Sequence, residues 1–101
     1  MTATGGIKLN EPAIDLAIAM SVASSYNNKE ISPTDCFVGE VGLTGEVRRV
    51  NKIESRITEA AKVGFKRIFI PRHNMDKSLT DLGIEVIPIS SIPQALKLVF
   101  G

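Results

Sequence analysis

A glycine-punctuated segment at residues 39–50, followed by a helical pattern at residues 53–64, constrains the fold more than any other part of the sequence. The segment runs GEVGLTGEVRRV. Gly42 and Gly45 can adopt the positive φ that a tight hairpin turn needs. Apolar residues then recur with the spacing of one helix face, and Gly64 is typical of a helix C-terminus. We therefore predict two antiparallel strands followed by an amphipathic helix.

Strands and helices alternate along the rest of the chain. The pattern predicts strands at residues 5–9, 35–41, 46–50, 66–71 and 84–89, and helices at residues 13–26 and 93–100. The first helix is apolar on nearly every face, so we expect it to be buried on at least two sides, with Asp15 favouring its N-terminus. Pro88 favours an edge strand or an early end of the strand, and Ser90 or Ser91 is typical of a helix cap. This order predicts an α/β sandwich with a mixed sheet and a central buried helix.

Length and composition favour a single domain. The chain has 101 residues, of which 44% are hydrophobic and 23% charged, and a domain of this size buries roughly two thirds of its unfolded surface. No apolar run reaches the roughly 18 residues that a membrane span needs, and no signal-peptide pattern opens the sequence. We therefore expect one cytoplasmic domain over residues 1–101, without a membrane partner.

The sequence offers little local chemistry for a nucleotide, a metal or a nucleophile. It lacks the GxxxxGK[ST] pattern of a phosphate-binding loop. Its one cysteine, Cys36, and its one histidine, His73, stand outside any cluster with metal-ligand spacing. We expect Cys36 to be a buried apolar side chain and His73 to be a solvated loop residue. No cofactor and no metal are predicted for this domain.

Charge is distributed unevenly, although the net charge is only +1. Residues 1–47 carry two bases and six acids, residues 48–77 carry nine bases and three acids, and residues 78–101 carry one base and two acids. Such a basic block can bind phosphate, because lysine and arginine on one face release counterions from nucleic acid. It can equally be the solvated face of a helix and its neighbouring strands. Charge alone leaves both interpretations open.

Several motifs, taken together in their order and spacing, resemble a known family. The motifs are Gly5-Gly6-Ile7-Lys8-Leu9, Asp15-Leu16-Ala17, the hairpin at residues 39–48, the helical run at residues 56–65 and Ile70-Pro71. They span residues 5–100 and are similar to the C-terminal Lon-protease-like domain of the RadA (Sms) family of bacterial DNA-repair proteins. Arg49 departs from the pattern, which has proline there. The resemblance also implies at least one more strand before residue 5, so we expect the chain to be a fragment of a longer ATPase, cut on its N-terminal side.

The resemblance implies a peptidase scaffold whose catalytic positions are vacated. Lon proteases use a serine at the head of the central helix and a lysine on the helix after the hairpin. Laying the family's Pro-Ser-Ala-Gly turn on Pro12 places Ala13 at the serine, and aligning back from Ile70-Pro71 places Glu54 at the lysine. A methyl group cannot attack a carbonyl, and a carboxylate cannot replace the ammonium. The resemblance therefore implies no catalytic residue in this domain.

The family further implies a parent protein with a zinc module and a RecA-like ATPase ahead of this domain. ATP, Mg and Zn are then expected in those other parts, and the parent would act as a homo-oligomer, in the form of a hexameric ring, on branched DNA during recombination. This domain would be a non-catalytic scaffold that offers a basic surface to DNA. Its expected phosphate contacts, which do not read sequence, are Arg48, Arg49, Lys52, Arg56, Lys66, Arg67 and Arg72.

Two alternatives from other classes stay open. One is the Lon-like domain of a magnesium-chelatase-related ATPase, which shares the hairpin but is expected to lack the run at residues 56–61. The other is an active Lon-type serine peptidase, which requires a Ser-Lys pair that the sequence does not supply at the aligned positions. The peptidase alternative predicts hydrolysis of a casein-type substrate.

Overall fold

Three α-helices and five β-strands follow one another in residues 11–101, the part of the chain that this computed structural model describes. The helices are α1 (Asp15–Asn27), α2 (Ile53–Val63) and α3 (Ile92–Phe100). The strands are β1 (Asp35–Phe37), β2 (Glu40–Val41), β3 (Val47–Arg48), β4 (Arg67–Pro71) and β5 (Glu85–Ile89). Short 3-10 turns occupy Pro12–Ile14, Arg72–Asn74 and Lys77–Asp81. The strand predicted at residues 5–9 lies outside the described residues.

Parallel and antiparallel pairing are both present, as predicted for a mixed sheet. β4 lies between β1 and β5 and pairs in parallel with each of them, whereas β2 and β3 form an antiparallel hairpin. An antiparallel bridge between Glu46 and Ser91 joins the hairpin to the end of β5, and the Val47 N–H donates to the Ser90 carbonyl over 2.9 Å. The predicted α/β class is confirmed, and the Lon-like assignment stays a prediction.

Local signals predicted most of the element ends. Gly64 ends α2 with a φ of 112°, a conformation in which glycine avoids the steric cost of a side chain. Pro71 is the last residue of β4, and Pro88 lies in β5, which is an edge strand among the described residues. Ser91 caps α3, since its hydroxyl accepts a hydrogen bond from the Gln94 N–H over 3.3 Å. These four predictions are confirmed.

The single strand predicted at residues 35–41 is wrong, because the chain leaves the parallel sheet at Gly39. The Gly39 N–H donates to the Ala13 carbonyl, and the Gly39 carbonyl accepts from the Leu16 N–H, each over 3.0 Å. A Cβ atom at Gly39 would lie 2.8 Å from Cγ1 of Val47, so glycine lets the backbone pass between α1 and β3. The predicted strand is thereby divided into β1 and β2, which pair with different partners.

The central strand β4 carries core residues on both of its faces. On one face Phe69 is fully buried and stacks on Phe37, with 4.8 Å between the ring centroids; this layer includes residues of α1 and α3. On the other face Ile68 and Ile70 are fully buried against Ile57 of α2. The alternation follows from the two-residue period of a strand. The core is therefore two thin layers on either side of one sheet.

Helix α1 packs on one side only among the described residues, so the prediction that it is buried on at least two sides is wrong for them. Leu16 and Met20 are fully buried, but Ile18, Val22 and Tyr26 are 48%, 63% and 88% exposed. The buried pair faces the layer that contains α3 and the parallel sheet. The exposed residues recur every fourth position and so form a stripe on the opposite face. No described helix is long and apolar enough to cross a membrane.

Candidate nucleic-acid interface

Basic side chains gather where the parallel strands end. Arg72 and His73 directly follow β4, and Ser90 directly follows β5, so the topology places all three at the carboxyl edge of the sheet. The hairpin brings two more arginines to the same edge. A pocket of about 300 Å³ there is lined by Glu46, Val47, Arg48, Arg49, His73 and Ser90. We refer to Arg48, Arg49, Arg72 and His73 as the basic cluster.

Ser90 connects the two sides of this pocket. The Arg72 Nε donates to its hydroxyl oxygen over 3.1 Å, and its carbonyl accepts from the Val47 N–H. Its own N–H donates to the Gln94 side chain over 2.6 Å. The sequence predicted Ser90 only as one of two candidate helix caps, and Ser91 has that role. Ser90 instead joins β4, β5 and the hairpin beside the basic cluster.

Asn74 is the second residue that sequence analysis missed. It is buried, and its side-chain amide makes two hydrogen bonds to Val50, accepting from the N–H and donating to the carbonyl, each over 2.9 Å. These bonds fasten the chain just after Arg48 and Arg49 to the turn that carries Arg72. An asparagine at the end of a predicted strand was the one available signal, since its amide can both donate and accept. Asn74 therefore fixes the relative position of the two halves of the basic cluster.

Glu46 is the acid in the lining of the pocket. Its carboxylate accepts from the Thr44 hydroxyl over 2.6 Å and the Thr44 N–H over 3.1 Å, and from Arg48 Nε and Nη2 over 3.2 and 3.0 Å. These hydrogen bonds, with that from the Thr44 hydroxyl first, lower the pKa of Glu46 to about 2. A Cβ atom at Gly42 would lie against the same carboxylate. Glu46 thus braces the hairpin turn and takes up part of the Arg48 charge.

At the opposite, amino edge of the sheet lie Lys66 and Arg67. The Arg67 guanidinium donates two hydrogen bonds to the Asp35 carboxylate, from Nε to Oδ1 over 2.9 Å and from Nη2 to Oδ2 over 2.7 Å. The Asp35 side chain is only 3% exposed, and the Arg67 guanidinium carbon lies 5.1 Å from the ring centroid of Phe69. The hydrogen bond with Asp35 raises the pKa of Arg67. Arg67 therefore joins β1 to β4, while Lys66 is exposed and has no ion pair among the described residues.

Arg56 and Lys52 lie at the start of α2. Arg56 forms an ion pair with Glu11 and donates from Nε to the Asn51 carbonyl over 2.9 Å and from Nη2 to the Asn51 side chain over 3.0 Å. Lys52 is exposed and adopts the left-handed region, with φ 55° and ψ 41°. Arg56 thus has its charge matched within the chain, whereas Lys52 has no ion pair among the described residues.

The two positions aligned with the Lon catalytic pair occupy different surroundings. Ala13 is buried in the 3-10 turn before α1 and lines a pocket of about 240 Å³ together with Glu40, Asn51 and Arg56. Glu54 is exposed on α2 and lines a separate surface depression. The described residues therefore do not bring Ala13 and Glu54 into one pocket. Their assignment as a vacated catalytic pair stays a prediction.

The contacts of Asp15 and Cys36 indicate structural roles. Asp15, in the first turn of α1, accepts from the Val41 N–H over 3.2 Å through Oδ2 and so ties the helix to β2. Cys36 is partly buried, and this burial raises the pKa of its thiol. Among residues 11–101 no group of three or more His, Cys, Asp or Glu side chains is placed to hold a metal ion.

The sequence matches one family model and several curated relatives. The family described as subunit ChlI of Mg-chelatase matches residues 2–74. DNA repair protein RadA of Bacillus subtilis (strain 168) is 57% identical over 97 residues, which cover 96% of this chain and 21% of that protein. DNA repair protein RadA of Streptococcus pneumoniae (strain ATCC BAA-255 / R6) is 52% identical over 101 residues, which cover 100% of this chain and 24% of that protein.

The chain thus spans between a fifth and a quarter of the length of these relatives. Their names confirm the predicted resemblance to RadA. The family model carries a different name and matches the same region, including the hairpin and α2. Because that match covers more than half of the sequence, the chain belongs to the family of subunit ChlI of Mg-chelatase, with DNA repair proteins RadA as relatives over nearly its whole length.

Proposed function

We propose that this chain is a non-catalytic scaffold domain of a cytoplasmic RadA-type DNA repair ATPase, and that its basic cluster contacts the phosphate backbone of branched DNA. The observation that carries the proposal is the meeting of Arg48, Arg49 and Arg72 at one edge of the sheet in a chain whose relatives are named DNA repair proteins. Zinc, ATP and Mg would be held by other parts of the parent, which would work as a ring-shaped homo-oligomer.

Pairing within the chain distinguishes among the seven basic residues expected from the sequence. Arg49, Arg72 and Lys52 have no ion pair among the described residues, and Arg48 shares its charge with Glu46. Each cation that neutralises a DNA phosphate releases counterions from the DNA and so contributes to the salt dependence of the affinity. We therefore assign the backbone contacts to Arg48, Arg49, Arg72 and Lys52.

The other three residues are left out of this interface for two reasons. Arg67 is paired with the nearly buried Asp35, so moving it onto DNA would leave a buried acid without its partner. The side chain of Arg56 is only 25% exposed and is held by Asn51 as well as by Glu11, whereas the side chain of Arg48 is 54% exposed. Lys66 is exposed, but it lies at the amino edge of the sheet, on the other side of the domain from the basic cluster. The proposed interface is thus smaller than the basic block in the sequence, since it consists of three arginines at the carboxyl edge of the sheet and of Lys52 at the start of α2.

A Lon-like scaffold without peptidase activity is part of the same proposal. Ala13 offers no nucleophile, and Glu54 offers a carboxylate rather than an ammonium group, so a Lon-type reaction has neither of its two groups. The remaining function of the fold would then be to hold subunits and DNA in place. An isolated domain that hydrolysed casein would contradict this part of the proposal.

A second candidate is the domain of a magnesium-chelatase-related ATPase that does not bind DNA, and the family match favours it. It predicts the same scaffold, but it leaves the basic cluster without a nucleic-acid partner. The two candidates therefore differ in one measurable property, the affinity of this chain for a DNA duplex and its dependence on salt.

The test is a salt titration of duplex binding by fluorescence anisotropy with three forms of the chain. One variant carries Arg48→Gln, Arg49→Gln and Arg72→Gln; the matched control carries Lys62→Gln, Lys66→Gln and Lys77→Gln and so loses the same charge. We expect the plot of log K against log[salt] to become shallower by about 2 to 3 in the first variant, with a much smaller change in the control. Equal slopes in both variants, or no binding by the unmodified chain, would overturn the proposal.

A further inference from the structure

We infer that the pocket between the hairpin and the end of β5 seats a single phosphate group, bound by Arg49, His73 and the Ser90 hydroxyl. Its volume of about 300 Å³ lies at the small end of the range for ligand pockets, which suits a compact anion. The inference deepens the proposed DNA contact and depends on it only for the source of the phosphate. It adds His73 and Ser90 to the arginines and lysines that the sequence predicted as phosphate contacts.

The lining leaves several donors available to a ligand. Arg49 and His73 make no side-chain hydrogen bond to another described residue. Ser90 already accepts from Arg72 Nε, so its own hydroxyl hydrogen remains free to donate to a phosphate oxygen. Guanidinium, imidazole and hydroxyl donors of this kind match the acceptor-only oxygens of a phosphate.

Glu46 does not neutralise this set of donors. Its carboxylate is occupied by Thr44 and Arg48, so it forms no ion pair with Arg49 or His73. The Arg48 and Glu46 charges offset each other, while Arg49 in the lining and Arg72 behind Ser90 are matched by no acid among the described residues. The pocket therefore keeps a net positive charge, which favours a phosphate.

The walls of the pocket are fixed before any ligand arrives. Val47 is joined to the Ser90 carbonyl by a backbone hydrogen bond of 2.9 Å, and Asn74 fastens Val50 to the turn that carries His73. Binding therefore has to order the exposed side chains of Arg49 and His73, but it does not have to order the backbone that carries them. The combination of free donors and fixed walls distinguishes this pocket from an ordinary exposed basic surface.

Phosphate binding can be measured by NMR at His73. It is the one histidine of the chain, so its ring protons can be assigned without ambiguity. Sodium phosphate is titrated at constant pH against sodium chloride of equal ionic strength. We expect a saturable shift of the His73 signal with phosphate alone. Arg49→Gln is expected to weaken phosphate binding about tenfold and Ser90→Ala several-fold, whereas Lys66→Gln leaves it unchanged.

A shift that chloride reproduces, or an Arg49→Gln variant that binds phosphate as well as the Lys66→Gln control, would overturn the inference. Oligonucleotides with and without a 5′-phosphate then identify the source. Equal shifts with both support a backbone phosphodiester, and a shift restricted to the phosphorylated strand supports a terminal phosphate. A response to inorganic phosphate with none to either strand would support the pocket and contradict the proposed DNA contact.

Discussion

The two edges of the parallel sheet use the same residue type in opposite ways. At the amino edge Arg67 is bound through two hydrogen bonds to Asp35, which is nearly buried. At the carboxyl edge Arg49 and Arg72 have no carboxylate partner among the described residues. A count of charges along the chain treats these arginines alike. An arginine is therefore available to a ligand only where the fold leaves it without a buried acid.

The largest effect is expected from breaking the pair at the amino edge. Arg67→Ala leaves the Asp35 carboxylate buried without its partner, so we expect a loss of about 2 to 4 kcal/mol in the free energy of unfolding. Arg49→Ala, at the carboxyl edge, should change it by less than about 0.5 kcal/mol. Chemical denaturation of both variants measures the contrast.

A double-mutant cycle sharpens this first prediction. Because the buried charge is itself the cause of the loss, Asp35→Ala combined with Arg67→Ala should recover part of the stability that Arg67→Ala removes. Additive losses would instead mean that Arg67 acts through its packing on Phe69. The Arg67→Ala variant should also keep the salt dependence of DNA binding, since Arg67 is not part of the basic cluster.

The second prediction concerns the residue that holds the carboxyl edge together. Asn74→Ala removes both hydrogen bonds to Val50, and leaving partly buried backbone groups unpaired should cost about 1 to 3 kcal/mol. The basic cluster would also lose its fixed geometry, so DNA affinity should fall although no charge is removed. Thermal unfolding and anisotropy check the two effects together.

Asn27→Ala is the matched control for Asn74→Ala. Asn27 is exposed and donates to the Ala23 carbonyl within its own helix, so its removal should change stability by less than about 0.5 kcal/mol and leave DNA binding intact. An Asn74→Ala variant that lost stability but kept full DNA affinity would contradict the positioning role.

The same residues show which features of the fold could be predicted from the sequence. Gly64, Pro71 and Ser91 act on neighbouring backbone, and the ends that they set were predicted from local patterns. The Asp35–Arg67 pair depends on the parallel register between β1 and β4, which no local pattern contains. The divided strand likewise depends on the close approach of Gly39 to Val47.

In the candidate site, too, local features could be predicted from the sequence and long-range contacts could not. A basic block was visible in the sequence, and it contained the arginines of the carboxyl edge. Their separation from Arg67 could not be predicted, because it depends on which acids the fold brings close. Asn74 and Ser90 gave almost no signal, since each acts through contacts with residues far away in the chain.

A smaller effect, of the opposite sign, is expected at Lys52. A non-glycine residue in the left-handed region carries a steric cost, so Lys52→Gly should raise the free energy of unfolding by about 0.5 to 1 kcal/mol. If Lys52 contacts phosphate, the same change should weaken DNA binding. Lys52→Gln removes the charge and keeps the side chain, so it should weaken DNA binding to the same extent without the gain in stability. Unchanged DNA affinity in both variants would remove Lys52 from the interface.

The smallest change in stability is expected from substitution of Glu46. Its partner Arg48 is intermediate between the two kinds of arginine, because it lies at the carboxyl edge but has a carboxylate partner. Arg48 is partly occupied by the Glu46 carboxylate, so Glu46→Gln should make Arg48 behave more like Arg49 and raise DNA affinity a few-fold. The folded pKa of Glu46 is lowered from 4.5 to about 2. A lowered carboxyl pKa stabilises the fold above the unfolded value and loses that contribution as the pH falls toward the folded one. Stability of the unmodified chain should therefore decline more steeply between pH 4.5 and 2 than that of Glu46→Gln, although the exposure of Glu46 keeps the difference small. If Glu46→Gln left DNA affinity unchanged or lowered it, then a carboxylate partner would not be what separates the two edges, and the comparison would have to rest on burial alone.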